Sequence, residues 1–153
     1  MRTIAFATLA LLAASCGSNA PPCTTCLNVA GTYEVTIDPR SADSSTCDML
    51  LINGGTWVME LYQKGSELDM PTFFETGIKG TLMEDESARF GPLKTRIGNT
   101  APAVYANTTL SGAFTGEEAT RRFSGSLVFS AMLENRTCAL STPIRMVKQT
   151  TAP

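Results

Sequence analysis

Five cysteines, two clusters of carboxylates and a complete absence of histidine set the chemistry open to this chain. Cys16 directly follows Ala13-Ala14-Ser15; Cys23 and Cys26 are spaced as Cys-x-x-Cys; Cys47 and Cys138 stand apart. A Cys-x-x-Cys pair can serve as a redox couple or as half of a zinc site. The redox motif opens a helix in an α/β pattern, whereas this pair follows Pro21-Pro22. No second close pair or histidine completes a metal site, so a structural disulfide is the expectation and no metal or other cofactor is called for. Glu84-Asp85-Glu86 and Glu117-Glu118 are carboxylates that could do acid–base work or bind calcium. They are adjacent in turn-like segments and lack the alternating oxygen spacing of a calcium loop, which reads as solvated turns. Glu60, beside Tyr62, falls on the outward phase of a strand. Without histidine there is no Ser-His triad, and neither a Gly-x-Ser-x-Gly elbow nor a Ser-x-x-Lys motif occurs. The expectation is a protein that is not an enzyme.

Charge excludes a further class. The formal net charge is −2, and Arg121-Arg122 is the only adjacent basic pair, so nucleic-acid binding has no electrostatic support. Charged residues make up 17% of the chain, below the ~25% typical of globular domains, while Thr, Ser and Gly are plentiful. That composition favours short strands and turns.

The N-terminus supplies an address. Met1-Arg2-Thr3 is a short basic segment, and Ile4–Leu12 is an apolar run of nine residues. As a helix such a run spans roughly 14 Å, against a bilayer core of about 30 Å; it suits a signal peptide and is too short to cross. A second small-x-small cleavage triplet, Ser18-Asn19-Ala20, is followed by Pro21, a poor context for ordinary signal peptidase. Ala13-Ala14-Ser15-Cys16 resembles the lipobox of bacterial lipoproteins, with Ala13 where the family prefers Leu and Leu12 one place earlier. The resemblance implies cleavage after residue 15, a diacylglycerol thioether and an amide-linked acyl chain such as palmitate on Cys16, and attachment to a membrane of the cell envelope. It also implies the outer membrane rather than the inner one, since Gly17 stands where an Asp favours inner-membrane retention.

The organisation that follows is a signal peptide over 1–15, a tether over 16–29 carrying Cys16 and the Cys-x-x-Cys pair, a β-domain over 30–149, and a short tail over 150–153. Setting Cys16 aside leaves Cys23, Cys26, Cys47 and Cys138, an even number that suits two disulfides in an exported chain, with three pairings open. Cys23–Cys26 with Cys47–Cys138 is preferred, for the strand order below.

From Gly31 the dominant period is two. Tyr33, Val35 and Ile37 share one face of a first strand, ended by Asp38-Pro39. Met49–Ile52 reads as an irregular strand. Thr56–Gln63 turns Trp57, Met59 and Leu61 inward, then Lys64-Gly65 makes a hairpin into Ser66–Met70, where Pro71 interrupts. Strands follow over Gly77–Met83, Ala88–Leu93 and Val104–Phe114, separated by an acidic turn and a polar loop over Arg96–Ala103. Phe123, Gly125, Leu127 and Phe129 define another inward face, Ser130–Asn135 reads as a short helical turn, and Cys138 to Met146 marks a last strand with Pro143 at an edge or bulge. This is an all-β chain of about eight strands. An up-and-down antiparallel barrel is the expected fold and a two-sheet sandwich the alternative. Gly80, Gly112 and Gly125 sit in the inward phase, where glycine lets a strand bend sharply. In a closed barrel the first and last strands pair, which brings the loop carrying Cys47 towards Cys138.

Gly31-Thr32-Tyr33 at the start of the first strand resembles the Gly-x-Trp signature of lipocalins and the wider calycin barrels, with Tyr33 in place of the Trp. That resemblance implies an interior able to hold one small apolar ligand, lined by Tyr33, Trp57, Phe114 and Phe129; the same aromatic residues are bulky enough to fill it instead. The expected function is therefore non-enzymatic binding or interaction at the bacterial cell envelope by a lipid-anchored β-domain, its partners the membrane and either an envelope protein or a small apolar ligand. Two alternatives accompany it: a lipocalin-like carrier of such a ligand, and an inhibitor of a periplasmic hydrolase acting through Pro39–Thr46 or Thr95–Ala103.

Overall fold

A computed structural model of the protein describes residues 19–41, 51–97, 104–133 and 136–150. The stretch read as a signal peptide, Cys16, Gly17, Cys47, residues 42–50, residues 98–103 and the last three residues of the expected tail lie outside them. Among the described residues there are ten strands: β1 (Gly31–Ile37), β2 (Arg40–Ser41), β3 (Leu51–Ile52), β4 (Gly55–Lys64), β5 (Glu67–Met70), β6 (Ile78–Leu82), β7 (Ser87–Ile97), β8 (Val104–Thr115), β9 (Arg122–Leu133) and β10 (Arg136–Lys148). Eight of them close into an antiparallel barrel in the order β1-β10-β9-β8-β7-β6-β5-β4, with β4 returning to β1, while β2 and β3 form a separate two-stranded sheet. The expected barrel is the fold, not the sandwich.

The period-two pattern explains which side faces in. Tyr33, Val35 and Ile37 are buried on β1 while Glu34 is exposed; Met59 and Leu61 are buried on β4 while Val58, Glu60 and Tyr62 are exposed. The same alternation places Ala106, Thr108, Leu110 and Phe114 inside from β8, and Cys138, Leu140, Thr142, Ile144 and Met146 inside from β10. Eight strands give an interior just wide enough for side chains to fill.

Glycine makes room for the largest of those side chains. Gly112 of β8 and Gly125 of β9 face each other across the ladder. A Cβ on Gly112 would lie 2.3 Å from the Ser124 carbonyl oxygen, 2.6 Å from Gly125 Cα and 2.6 Å from the tip of the Phe123 ring. The inward glycines thus let β8 and β9 approach closely under an aromatic ring, a tighter constraint than the bend expected of them.

Three local expectations are corrected. The first hairpin turns at Gly65-Ser66, one residue later than Lys64-Gly65, because Lys64 pairs with Glu67 and Gly65 (φ 60) takes the positive φ that a two-residue hairpin needs. β7 does not end at Leu93. Gly91-Pro92 is absorbed as an irregularity, the register shifting between Phe90 and Leu93, and the strand runs on to Ile97. Ser130–Leu133, read as part of a helical turn, continues β9, because Ala131 finds strand partners on both sides, Ala106 and Cys138. Pro143 lies in a strand paired on both sides, yet one residue beyond the last β10–β1 pair, Ile144↔Ile37, so it occupies a local edge.

Candidate binding site

The barrel has two unlike ends. One, the floor, is where β1 begins and β10 finishes; the other, the mouth, is where β1 finishes and β10 begins. An aromatic column closes the floor. Tyr33 meets Phe114 edge-on at 6.4 Å between ring centroids, Phe114 meets Phe123 at 5.0 Å, and Phe123 meets Phe90 edge-on at 6.3 Å. All four rings are buried.

The segment read as a free tether is seated on this floor from Pro21 onward. The Cys23 amide donates to the Leu82 carbonyl at 3.0 Å and the Glu84 amide to the Pro21 carbonyl at 3.0 Å. Further along, Gln63 works as a two-sided clamp: its Oε1 accepts from the Val29 amide at 2.7 Å, and its Nε2 donates to the Leu27 carbonyl at 2.9 Å. Cys23 and Val29 are buried in the core, and Cys26 and Leu27 pack against it. Cys23 and Cys26 are disulfide-bonded, Cα to Cα 5.2 Å. Burial of Val29 and the backbone bonds to β6 outweigh the loop-like composition that suggested a free linker. Cys138, buried in β10, is also disulfide-bonded; Cys47, its expected partner, lies outside the described residues.

Tyr33 ties the leader to the column. Its hydroxyl donates to the Val29 carbonyl at 2.7 Å, and burial pushes its pKa up to about 12 against the opposing pull of the Arg121 charge. In an unfolded chain the phenol ionises near pH 10. The folded state keeps the proton longer, so the stabilisation is complete below pH 10 and is lost as pH rises towards 12, amounting to about 2 kcal/mol. In urea unfolding between pH 8 and 12, the stability advantage of wild type over Tyr33→Phe is expected to shrink above pH 10; a parallel decline of both proteins would contradict this.

The mouth is built differently. Inward positions there are small: Ala106 pairs with Ala131, and Ala131 with Cys138. One step deeper, Phe129 sits between Thr108 and Leu140. Against Phe129 lies the β5–β6 connection, residues 71–77. Phe73 is fully buried, and Phe74 lies half-buried between Phe73 at 4.5 Å and Phe129 at 5.6 Å. Phe74 and Glu75 both adopt positive φ, 47° and 64°, a conformation that costs an L-residue roughly 1–2 kcal/mol.

The four aromatic residues expected to line one interior therefore divide. Tyr33 and Phe114 touch each other in the floor. Phe129 belongs to the mouth, six residues along β9 from Phe123, or about 20 Å. Trp57 faces inward from β4 opposite Val35 and is half-buried. Phe73 and Phe74 were missed by the pattern reading, which treated Pro71 as an interruption. Their signal was chemical: two adjacent phenylalanines in a segment outside the strand rhythm must still find burial.

The carboxylates expected in turns are there. Glu84 and Glu86 are exposed in the β6–β7 turn, and Glu117 and Glu118 in the β8–β9 connection, where Glu118 accepts a hydrogen bond from the Asn28 side chain. On the outer wall Tyr62 donates to Glu60, which raises the Tyr62 pKa. Among the described residues, no group of three or more His, Cys, Asp or Glu side chains is placed to hold a metal ion. A shallow outward groove of about 880 Å³ runs over β7, β8 and β9, lined by Arg89, Thr109, Ser111, Ser124 and Ser126 among others.

These features define a closed eight-stranded up-and-down barrel with an aromatic floor, a docked N-terminal leader and a phenylalanine-filled mouth. No protein-family model matches the chain, and no curated protein or solved structure does either.

Proposed function

We propose that the protein is an exported, lipid-anchored binding module of the bacterial cell envelope, acting non-enzymatically on a barrel scaffold. The observation that carries this reading is the docking of the leader on the floor. Pro22 bridges to Met83, so an acylated Cys16 lies only six peptide units from a fixed point on the barrel, at most about 20 Å away. Anchoring there turns the floor towards the membrane and the mouth away from it, where a partner can be met. Two acyl chains hold such a domain stably, whereas one holds it marginally. Gly17 in the position after the acylated cysteine favours the outer membrane.

The test is fractionation with mass spectrometry of the mature N-terminus. Wild-type protein is expected in the membrane fraction with an acylated Cys16 peptide, and Cys16→Ser without acylation and with its signal peptide uncleaved. An unacylated wild-type protein beginning beyond Cys16 would end the reading. A carrier of a small apolar ligand is the second reading, favoured by the arrangement of the mouth.

A further inference from the structure

Residues 71–77 form a unit that closes on itself. Gly77 donates its amide to the Phe73 carbonyl at 2.9 Å, Glu75 to the Thr72 carbonyl at 3.3 Å, and the Thr76 hydroxyl to the Phe74 carbonyl at 3.4 Å. Its two ends touch: a Cβ on Gly77 (φ 73) would come within 2.9 Å of the Pro71 carbonyl oxygen. Among the described residues, the segment makes no hydrogen bond to any other part of the barrel. What keeps it in place is the burial of Phe73 and Phe74, and that burial is opposed by two successive residues in the left-handed region. Such a segment relieves its strain when it leaves the barrel and Phe74 and Glu75 return to negative φ, a change that gives up only its own three hydrogen bonds, two of them long at 3.3 and 3.4 Å.

The place it would vacate has a definite chemistry. Phe129, which Phe74 touches, marks it; Leu140 lies beside Phe129 in register, Ala106 and Ala131 lie one step towards the rim, and the polar side chains buried among the described residues are Thr108 and Thr142 alone. The Thr142 hydroxyl is already committed to the Asp38 carbonyl at 2.8 Å. Among the described residues no buried side chain there offers a counter-charge, so none of them would pair an ionised ligand group.

We infer that residues 71–77 are a displaceable flap whose phenylalanines occupy, in the ligand-free barrel, the site of a small uncharged apolar molecule of about aromatic size. Ligand and flap compete for one space, so affinity is set partly by the strain at Phe74 and Glu75. The inference rests on reading the domain as a binding module and is independent of the lipid anchor.

Glu75 is the handle for the test, because it is exposed and its replacement leaves the interior untouched. Glycine accepts a positive φ without penalty and favours the closed flap, whereas valine raises the penalty and favours the open one. The full-length chain, made unacylated by cell-free synthesis under oxidising conditions, is titrated with the uncharged fluorophore N-phenyl-1-naphthylamine. Saturable binding is expected to be roughly twofold to fivefold tighter for Glu75→Val than for wild type, and weaker by a similar factor for Glu75→Gly. Equal affinities across the three proteins, or no binding to any, would overturn the flap. Binding confined to Phe73→Ala would overturn it as well, by revealing a cavity that the native flap never opens. None of these results bears on the Cys16 fractionation, so anchor and flap fail separately.

Discussion

Replacing Phe123 with alanine is expected to lower the unfolding free energy by about 4 kcal/mol, or roughly 10–15 °C in the midpoint of thermal unfolding. Phe123 is the one ring of the floor column that touches two others as well as the glycine pair, with Phe114 at 5.0 Å and Phe90 at 6.3 Å. Truncation removes the ring's own burial. It also removes the ring contacts of both neighbours and leaves a void beside strands already at close approach. β8 and β9 cannot collapse further into that void, because their backbones meet at Gly112 and Gly125, so the cavity persists and its full cost is felt. Urea unfolding monitored by circular dichroism would measure it; a loss below about 2 kcal/mol would mean that the floor relaxes around the missing ring.

The converse substitution, Gly112→Val, is expected to cost about 3 kcal/mol through overpacking. Two of the three nearest atoms to a Cβ at this position are backbone atoms of β9, the Ser124 carbonyl oxygen and Gly125 Cα. Backbone cannot rotate away as a side chain can, so the strands must part. The third atom belongs to the Phe123 ring, which predicts a partial rescue. Combining Gly112→Ala with Phe123→Leu should cost less than the sum of the single changes, the coupling reporting the ring contact and the uncompensated remainder the backbone contact. Strict additivity would show that the ring and the glycine do not share space.

Most of the barrel was legible in the sequence, because burial on one face imposes a period of two whatever the partners of a strand. Tyr33, Val35 and Ile37 on β1, and Phe123, Leu127 and Phe129 on β9, could be assigned to the inner face from alternation alone. Errors fell where a long-range partner decides the outcome. Arg96-Ile97 reads locally as the start of a polar loop, yet β8 continues alongside and holds β7 in line to Ile97. The segment Ser130–Leu133 carries good helix formers, Ala131 and Met132 among them, but it lies between two strands that supply its hydrogen bonds. The leader could not be read either: Pro21-Pro22 and the threonines suggest open chain, and its seat comes from distant partners, the Gln63 side chain and the Leu82 carbonyl among them. The candidate site was half legible. Tyr33, Trp57, Phe114 and Phe129 were identified, but the separation of Tyr33 and Phe114 from Phe129 depends on strand register, and the flap with Phe73 and Phe74 depends on burial that no periodicity announces.

The pairing of β1 with β10 has a consequence for the order of folding. Every other neighbouring pair in the wall except β1–β4 joins strands consecutive along the chain, whereas Tyr33 meets Lys148 across more than a hundred positions. Hairpins can form early and cheaply, but this seam bears the largest loop-closure cost and is the last contact a growing chain can make. A chain made N-terminus first therefore stays an open sheet, with β1 and its apolar face unsatisfied on one side, until Arg136–Lys148 has been added. The last strand acts as the timer of assembly, and the interval before it arrives is when the chain is most exposed to aggregation and to any chaperone of its compartment.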